Sequence, residues 1–343
     1  MPNPITSAEL KAIETGGLLH EDVLDKIFDI SRIPLVFQDA VGRSTHKQER
    51  FDWVVDKLDA PDLDNAVVDG SDAGPGEAAS GERVGNHSQT STKVINVSHR
   101  SDDSDRIGAE KEFAYQLTRA NQHLRRDLEA IAISDQASVP DDGNTTAGKT
   151  GALGSWIETS VFDAGGNPVT TEGYSHSTGK TTTPPAQAGA ALSYAVIKEA
   201  AQSVYEEGGD VTMLMARPSV IGKISDYAFK DGAPIASITA DQGKSQEKAQ
   251  ALNAIQVIIT DWGKLKLVPN RLQQPFQDGT DTAYLLDTEY LSMSFLSGIA
   301  GYDLAKTGLS NKKMLACDWG LRGHNERSQA MIVGIDSDVD VVD

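Results

Sequence analysis

A single cysteine, Cys317, in 343 residues excludes any internal disulfide and makes a reducing compartment acceptable. No apolar run approaches the roughly 20 residues that a membrane-spanning helix needs. The opening residues, MPNPITSAELK, lack the basic and apolar regions of a secretory signal, so no secretion is expected. The sequons at Asn86, Asn96 and Asn144 therefore carry little meaning. Positive charge is scarce: 31 Lys and Arg face 50 Asp and Glu, for a net charge of −19. A protein that holds nucleic acid by neutralising phosphates carries a basic surface instead. The balance suits a soluble chain kept apart from like-charged copies until something overrides the repulsion.

Catalytic constellations are scarce too. The seven histidines are scattered, with no pair at i, i+4 and no cysteine pairing, so no zinc pattern exists. No G-x-S-x-G elbow or G-x-G-x-x-G turn occurs. The acidic cluster from Asp59 to Asp72 lacks the spacing, glycine and closing Glu of a calcium loop, and reads as solvated charge. Cys317 sits in an apolar run with no partner placed beside it, as a small buried hydrophobe does. One motif matches by letter: Gly143-Asn144-Thr145-Thr146-Ala147-Gly148-Lys149-Thr150 has the G-x-x-x-x-G-K-T form of a phosphate-binding loop. Such a loop is delivered by a buried strand and opens a helix whose N–H groups point at phosphate. Here Ala137 to Asp142 is polar and broken by Pro140, Gly151-Ala152-Leu153-Gly154 starts a helix poorly, and Asp141 and Asp142 repel a triphosphate. A nucleotide-binding enzyme using residues 143–150 is the alternative that this context argues against.

With 39% hydrophobic residues, the chain is long enough for a real core and two lobes. Its central feature is a long helix beginning in the Ser101–Asp105 cluster and running to Ser134. The helix rests on Ile107, Phe113, Leu117, Ala120, Leu124, Leu128 and Ile131, spaced by three and four after Phe113, and Asp102, Asp103 and Asp105 suit the positive helix end. About 30 residues give a rod of roughly 45 Å. Its apolar stripe is narrow, with Arg119, Gln122, Arg125 and Arg126 on other faces, so it should lie across a sheet or against a neighbour. A coiled coil is the competing reading, but little more than three heptads show the pattern.

Before this helix come a loose arm (residues 1–17), an amphipathic helix carrying Leu19, Val23, Ile27 and Ile30, and a strand in FDWVVDKL. Residues 59–92 are rich in Gly, Ala, Ser and Asp, longer than loops in compact domains tend to be, and either disordered or packed on something outside the chain. The strand KVINVSHR leads back. A Gly/Thr-rich region, 138–186, is broken by one apolar island, Leu153–Ile157. From Gln187 the pattern is α/β: a helix from Ala190 to Glu207 stopped by Gly208-Gly209, a strand VTMLMA, and a helix from Ser219 to Phe229. AIQVIIT and KLKLVP flank Asp261-Trp262-Gly263 as a hairpin, and TAYLLD, LSMSFL, KMLACDWGL and QAMIVGI are further strands.

This order resembles the major capsid protein of tailed bacteriophages, the HK97-like fold. Phe51-Asp52-Trp53, Asp56-Lys57-Leu58 and Asp69-Gly70-Ser71-Asp72-Ala73 resemble the start of the extended E-loop. Arg83, Asn86, Gln89 and Val97-Ser98 resemble its return, and Gly108, Glu112, Arg125, Asp127 and Glu129 its spine helix. Gly151-Ala152-Leu153 with Trp156-Ile157 resembles the segment that follows. Val268-Pro269-Asn270-Arg271, Leu286-Asp287-Thr288-Glu289-Tyr290 and Leu304-Ala305-Lys306-Thr307-Gly308 resemble the closing lobe. Leu296-Ser297-Gly298 and Cys317-Asp318-Trp319 depart from the pattern.

The resemblance implies an α+β fold with an N-terminal arm (1–50), an extended E-loop (51–100), a spine helix and P-domain (101–186), an α/β A-domain (187–291) and closing strands (292–343). It implies a structural virion protein with no enzyme activity and no cofactor or metal. Such a protein self-assembles as hexamers and pentamers into an icosahedral head, in the host cytoplasm. The partners implied are a separate scaffolding protein, a portal, a possible decoration or cement protein and packaged double-stranded DNA held non-specifically, with no membrane. Only about 50 residues precede FDWVVDKL, too few for a built-in scaffolding segment. The acidic side chains Asp59, Asp62, Asp64, Asp69, Asp72, Glu77 and Glu82 are candidates to dock on Arg119, Arg125 and Arg126 of a neighbour's spine helix. Some relatives join subunits through an E-loop lysine, and residues 59–92 contain none, so a shell without covalent links is expected. A dispersed acidic scaffold or adhesion module is a further reading, distinguished by whether closed particles form.

Overall fold

The computed structural model describes residues 35–58, 61–64, 66–70, 72, 81–104, 111–230, 257–276, 278–306 and 308–341. The expected arm, the helix of Leu19 to Ile30, Asp59, Glu77 and the start of the long helix at Asp105, Ile107 and Gly108 lie outside these residues.

The described chain begins with a five-residue helix, α1 (Val36–Ala40), and a strand, β1 (Gly42–Thr45). The strand expected in FDWVVDKL is β2 (Arg50–Val55), and it pairs antiparallel with β3 (Glu82–His87). The described residues between these two strands, 56–58, 61–64, 66–70, 72 and 81, belong to the tip of this hairpin. The return strand is longer than KVINVSHR: β4 runs from Gln89 to Ser98.

The long helix is shorter than its apolar pattern suggests. Ser98 accepts a hydrogen bond from the Ser101 amide and starts a separate turn of helix, α2 (His99–Asp103), which ends where Ser104 turns extended. The spine helix itself is α3 (Glu112–Ala132), 21 residues or about 32 Å. The polar cluster caps it from outside: Asp102 Oδ1 accepts the Phe113 amide at 3.0 Å. The expected stripe is the packed face, with Leu124 and Leu128 fully buried and Leu117, Ala120 and Ile131 packed beside them. It lies across β4 and β13 (Ser310–Gly323).

The Gly/Thr-rich region folds around the apolar island, which forms α4 (Leu153–Trp156), followed by β5 (Val161–Asp163) and the small hairpin β6 (Tyr174–Ser175) and β7 (Lys180–Thr181). The α/β region supplies α5 (Tyr194–Glu206), β8 (Met213–Ala216), α6 (Pro218–Lys230), β9 (Val257–Thr260), β10 (Gly263–Pro269) and β11 (Asp281–Leu286). Gly208 takes φ +94°, the left-handed conformation that ends α5. The chain closes through β12 (Leu291–Asp303), β13 and β14 (Ala330–Ile335).

Two larger sheets result. A six-stranded mixed sheet has the order β5-β14-β11-β8-β10-β9, and a four-stranded sheet has β1-β12-β13-β4. Alternation sorts the six-stranded sheet's side chains between two cores. Leu214, Ala283, Leu285, Ala330 and Ile332 face α5 and α6, while Met215, Tyr284, Leu286, Met331 and Val333 share a core with α3 and the four-stranded sheet. Tyr284 completes that join by donating its hydroxyl to the Ile133 carbonyl at 3.0 Å, just past the end of α3.

Candidate functional site

The phosphate-loop motif has no site behind it. Lys149 and Val139 exchange backbone hydrogen bonds at 2.8 and 2.9 Å, closing residues 140–148 into an exposed loop. Inside that loop, Asp142 Oδ1 accepts the amides of Asn144, Thr145 and Thr146, the N–H groups a phosphate would need. These bonds hold the Asp142 carboxyl well below the usual carboxylate range. Thr150, where a metal-binding hydroxyl would stand, is fully buried, and its Oγ1 accepts from Asn86 Nδ2 and the Leu321 amide. The helix that follows has four residues. Cys317 is buried, its thiol pushed up to about 11 by burial and then by Asp318, so thiolate chemistry is suppressed at neutral pH. Among the described residues no His, Cys, Asp or Glu cluster could hold a metal ion. No helix there is long and apolar enough to cross a membrane.

The conspicuous surface is the hairpin tip. Leu58, Leu63, Val67 and Val68 are between 79% and 100% exposed, an apolar set that no core among the described residues covers. Asp62, Asp64, Asp69 and Asp72 are exposed beside them, and Gly70 makes a turn at φ +80°. Glu82, at the base, lies 3.5 Å from His176 Nε2. On the other expected surface, Arg119 and Arg125 are exposed and Arg126 is half-buried. Arg119 sits 5.7 Å above the Tyr115 ring. None of the three arginines has an ion-pair partner among the described residues. One chain does not bring these acids and arginines together.

The hairpin's base is fastened firmly. Burial works against charge on Asp52, but hydrogen bonds from Arg83 and Arg50 override it and hold the carboxyl below its ordinary value. Lys57 reaches Glu207 at the end of α5, and Arg327 binds the same oxygen at 2.9 Å, so Glu207 is also held low by the Lys57 bond first. A ladder of rings continues inward: Phe51 to Trp53 at 6.0 Å, Trp53 to Trp156 at 5.2 Å, and Trp156 to Tyr174 at 5.6 Å. The Arg322 guanidinium lies 5.4 Å from the Phe51 ring and 5.6 Å from that of Trp53. On β3, buried Asn86 donates to the Gly151 and Leu321 carbonyls and accepts the Gly151 amide, binding hairpin, α4 region and β13 at one point.

In the sequence Asn86 stands out only as a sequon and as one word of a resemblance, and nothing there marks Glu207, Arg327 or Arg322 as partners of the hairpin. Long-range partners leave no local periodicity to read. The jump in aromatic content at Phe51-Asp52-Trp53 is the one signal that could have marked the hairpin's root.

A family model described as SU10 major capsid protein matches residues 5–336. The major capsid protein of Escherichia phage Phieco32 is 35% identical over 101 residues, 29% of this chain and 29% of its own length. That alignment therefore spans under a third of the relative. Solved structures align over nearly whole chains. The capsid of a native GTA particle matches with TM-score 0.59 and 14% identity, covering 95% of this chain and 99% of the other. A structure of Gordonia phage Cozz matches with TM-score 0.58 and 10% identity over 97% of both chains. The holo-SrpI encapsulin complex of Synechococcus elongatus matches with TM-score 0.54 and 9% identity, covering 96% and 97%. At such identity the likeness establishes a shared fold.

Proposed function

The chain belongs to the SU10 major capsid protein family, and from that premise we propose that its copies join as hexamers and pentamers into the icosahedral head of a tailed phage. It is a structural protein of HK97-like fold and not an enzyme. The observation that carries the assembly reading is the hairpin tip, where Leu58, Leu63, Val67 and Val68 are exposed together at the end of a rigidly held arm. Repeated heterologous contacts of one surface on a different surface of the next copy close into rings and then into a shell. The acidic side chains Asp59, Asp62, Asp64, Asp69, Asp72, Glu77 and Glu82 dock toward Arg119, Arg125 and Arg126 of a neighbour. That those arginines have no ion-pair partner among the described residues supports the pairing.

Assembly takes place in the host cytoplasm, with a separate scaffolding protein raising local concentration against a net charge of −19. A portal, a decoration protein and packaged double-stranded DNA are the remaining partners, the DNA enclosed without base reading. Negative-stain microscopy of the purified chain, with and without its scaffold, should show closed particles. A compact monomer under every assembly condition would sink this reading.

A further inference from the structure

Two of the chain's seven histidines, His46 and His87, are buried around the root of the hairpin, and a third, His324, is half-buried beside them. His46, 7% exposed, stacks on Phe51 at 4.4 Å and shares a hydrogen bond between Nδ1 and Ser294 Oγ at 2.9 Å, while its Nε2 has no partner among the described residues. His324 Nε2 lies 3.2 Å from Ser292 Oγ, and Ser292 in turn lies 3.1 Å from Ser44 Oγ on β1. His87, 8% exposed, ends β3 directly opposite Arg50 of β2. These rings fill the seam between the hairpin, β1 and the β12–β13 pair.

We propose that His46, His87 and His324 form an acid-released clamp that fixes the hairpin when neutral and frees it when protonated. The geometry makes a second charge unwelcome. His46 and Arg322 address the same Phe51 ring, so protonating His46 sets two cations around one buried aromatic. Arg322 and Asp318, both on β13, act on His46 in opposite senses. Arg322 acts on His324. His87 meets Arg50 and Asp52 of β2, Glu49 before it and Lys180 of β7. For all three, burial is the largest influence and pushes proton affinity down from the ordinary value of 6.5.

The direction follows from linkage. The opened hairpin binds protons that the clamped one refuses, so clamping is fully present above the ordinary imidazole value and weakens as pH falls below it. At one unit below that value, each histidine that stays neutral when clamped raises the opening equilibrium by up to about tenfold. The consequence for a shell rests on the assembly reading above; the clamp itself belongs to the single chain.

Hydrogen exchange of the unassembled full chain, corrected for intrinsic rates, tests it at pH 7.5 and 5.5. Strands β2 and β3 should open about tenfold or more readily at pH 5.5, while β11 and β14 change far less. His46→Gln should reduce that pH response by up to about tenfold; His87→Gln and His324→Gln provide the same reading if the first fails to fold. Equal pH responses in the hairpin and in β11, or an unchanged response in every folded variant, would overturn the clamp. Because monomers are measured, neither result depends on whether particles form. Acid lability of particles is read separately by microscopy.

Discussion

Asn270 donates its side-chain amide to Glu129 Oε1 at 3.0 Å, deep in the join between the α/β region and the spine helix. The same carboxylate accepts the backbone amides of Phe37 at 2.6 Å and Gln38 at 2.9 Å, at the start of α1. Both residues are completely buried. One acid therefore ties three distant parts of the chain, and no cation pairs with it among the described residues.

Removing it leaves three buried donors without an acceptor, each worth about 1–3 kcal/mol when unsatisfied. Glu129→Ala should therefore destabilise the chain by about 3–5 kcal/mol, and Asn270→Ala, which spares the two backbone bonds, by about 1–3 kcal/mol. Urea unfolding compares them. Equal losses would mean that the carboxylate's bonds to α1 contribute nothing.

The charge on Glu129 has its own pH signature. Burial raises its proton affinity above the ordinary 4.5, against the pull of the Phe37, Gln38 and Asn270 bonds. A raised folded value means that this group's contribution is full below the ordinary carboxylate range and declines as pH rises through the folded value. The stability of wild type relative to Glu129→Gln should thus fall between pH 4 and pH 7. A difference that grows with pH would show that hydrogen bonding outweighs burial.

The phosphate-loop motif gives a negative expectation. With the Asn144, Thr145 and Thr146 amides taken by Asp142 and that of Lys149 by Val139, no cradle remains. Lys149→Ala should leave assembly intact, and calorimetry should detect no ATP binding in either protein. Micromolar affinity lost in the variant would overturn this.

How far the fold was legible depends on where its information is stored. Spacing placed Leu124 and Leu128 on the packed face of α3, where burial is periodic, and continuous apolar runs placed VTMLMA and TAYLLD in the sheet, whose strands β8 and β11 are buried at every residue. The helix start was misplaced because acids at Ser101–Asp105 look alike whether they open a helix or cap one from outside, as Asp102 does. The region 138–186 showed little apolar pattern, yet Ser138, Thr150, Ser155 and Thr181 are buried. Their core is made of hydroxyls: Thr181 Oγ1 accepts the Ser138 amide, and Ser138 Oγ accepts that of Thr181. Hydropathy does not register such pairs. The hairpin was legible only in part: composition marked residues 59–92 as a run without a core, but β3 and the start of β4 occupy its last residues, and Val84, Asn86, His87 and Ser88 are buried there.

Cys317 offers a simple chemical check. It is 1% exposed and its thiol is pushed up to about 11, with its sulfur 3.5 Å from the Ser297 carbonyl. Iodoacetamide at pH 8 should label folded protein far more slowly than protein in urea. Comparable rates would place the thiol at the surface.

The last expectation concerns how the shell is locked. Residues 59–92 contain no lysine, and the two lysines flanking them are occupied within the chain: Lys57 on Glu207, and Lys93 on Asp127 at 2.6 Å. An amide link from the hairpin to a neighbour therefore has no free amine at the tip to begin it. On the proposed assembly, cohesion is left to the apolar set at Leu58, Leu63, Val67 and Val68 and to the proposed acid–arginine contacts. Each exposed ion pair contributes only about 0–1 kcal/mol, and salt weakens it further. Boiled particles should run as single chains on a denaturing gel. Rising salt should loosen the tip's protection from protease only partly, because burial of the four apolar side chains is not screened. A ladder of linked oligomers would end the first claim. Protection wholly indifferent to salt would remove Arg119, Arg125 and Arg126 from the contact.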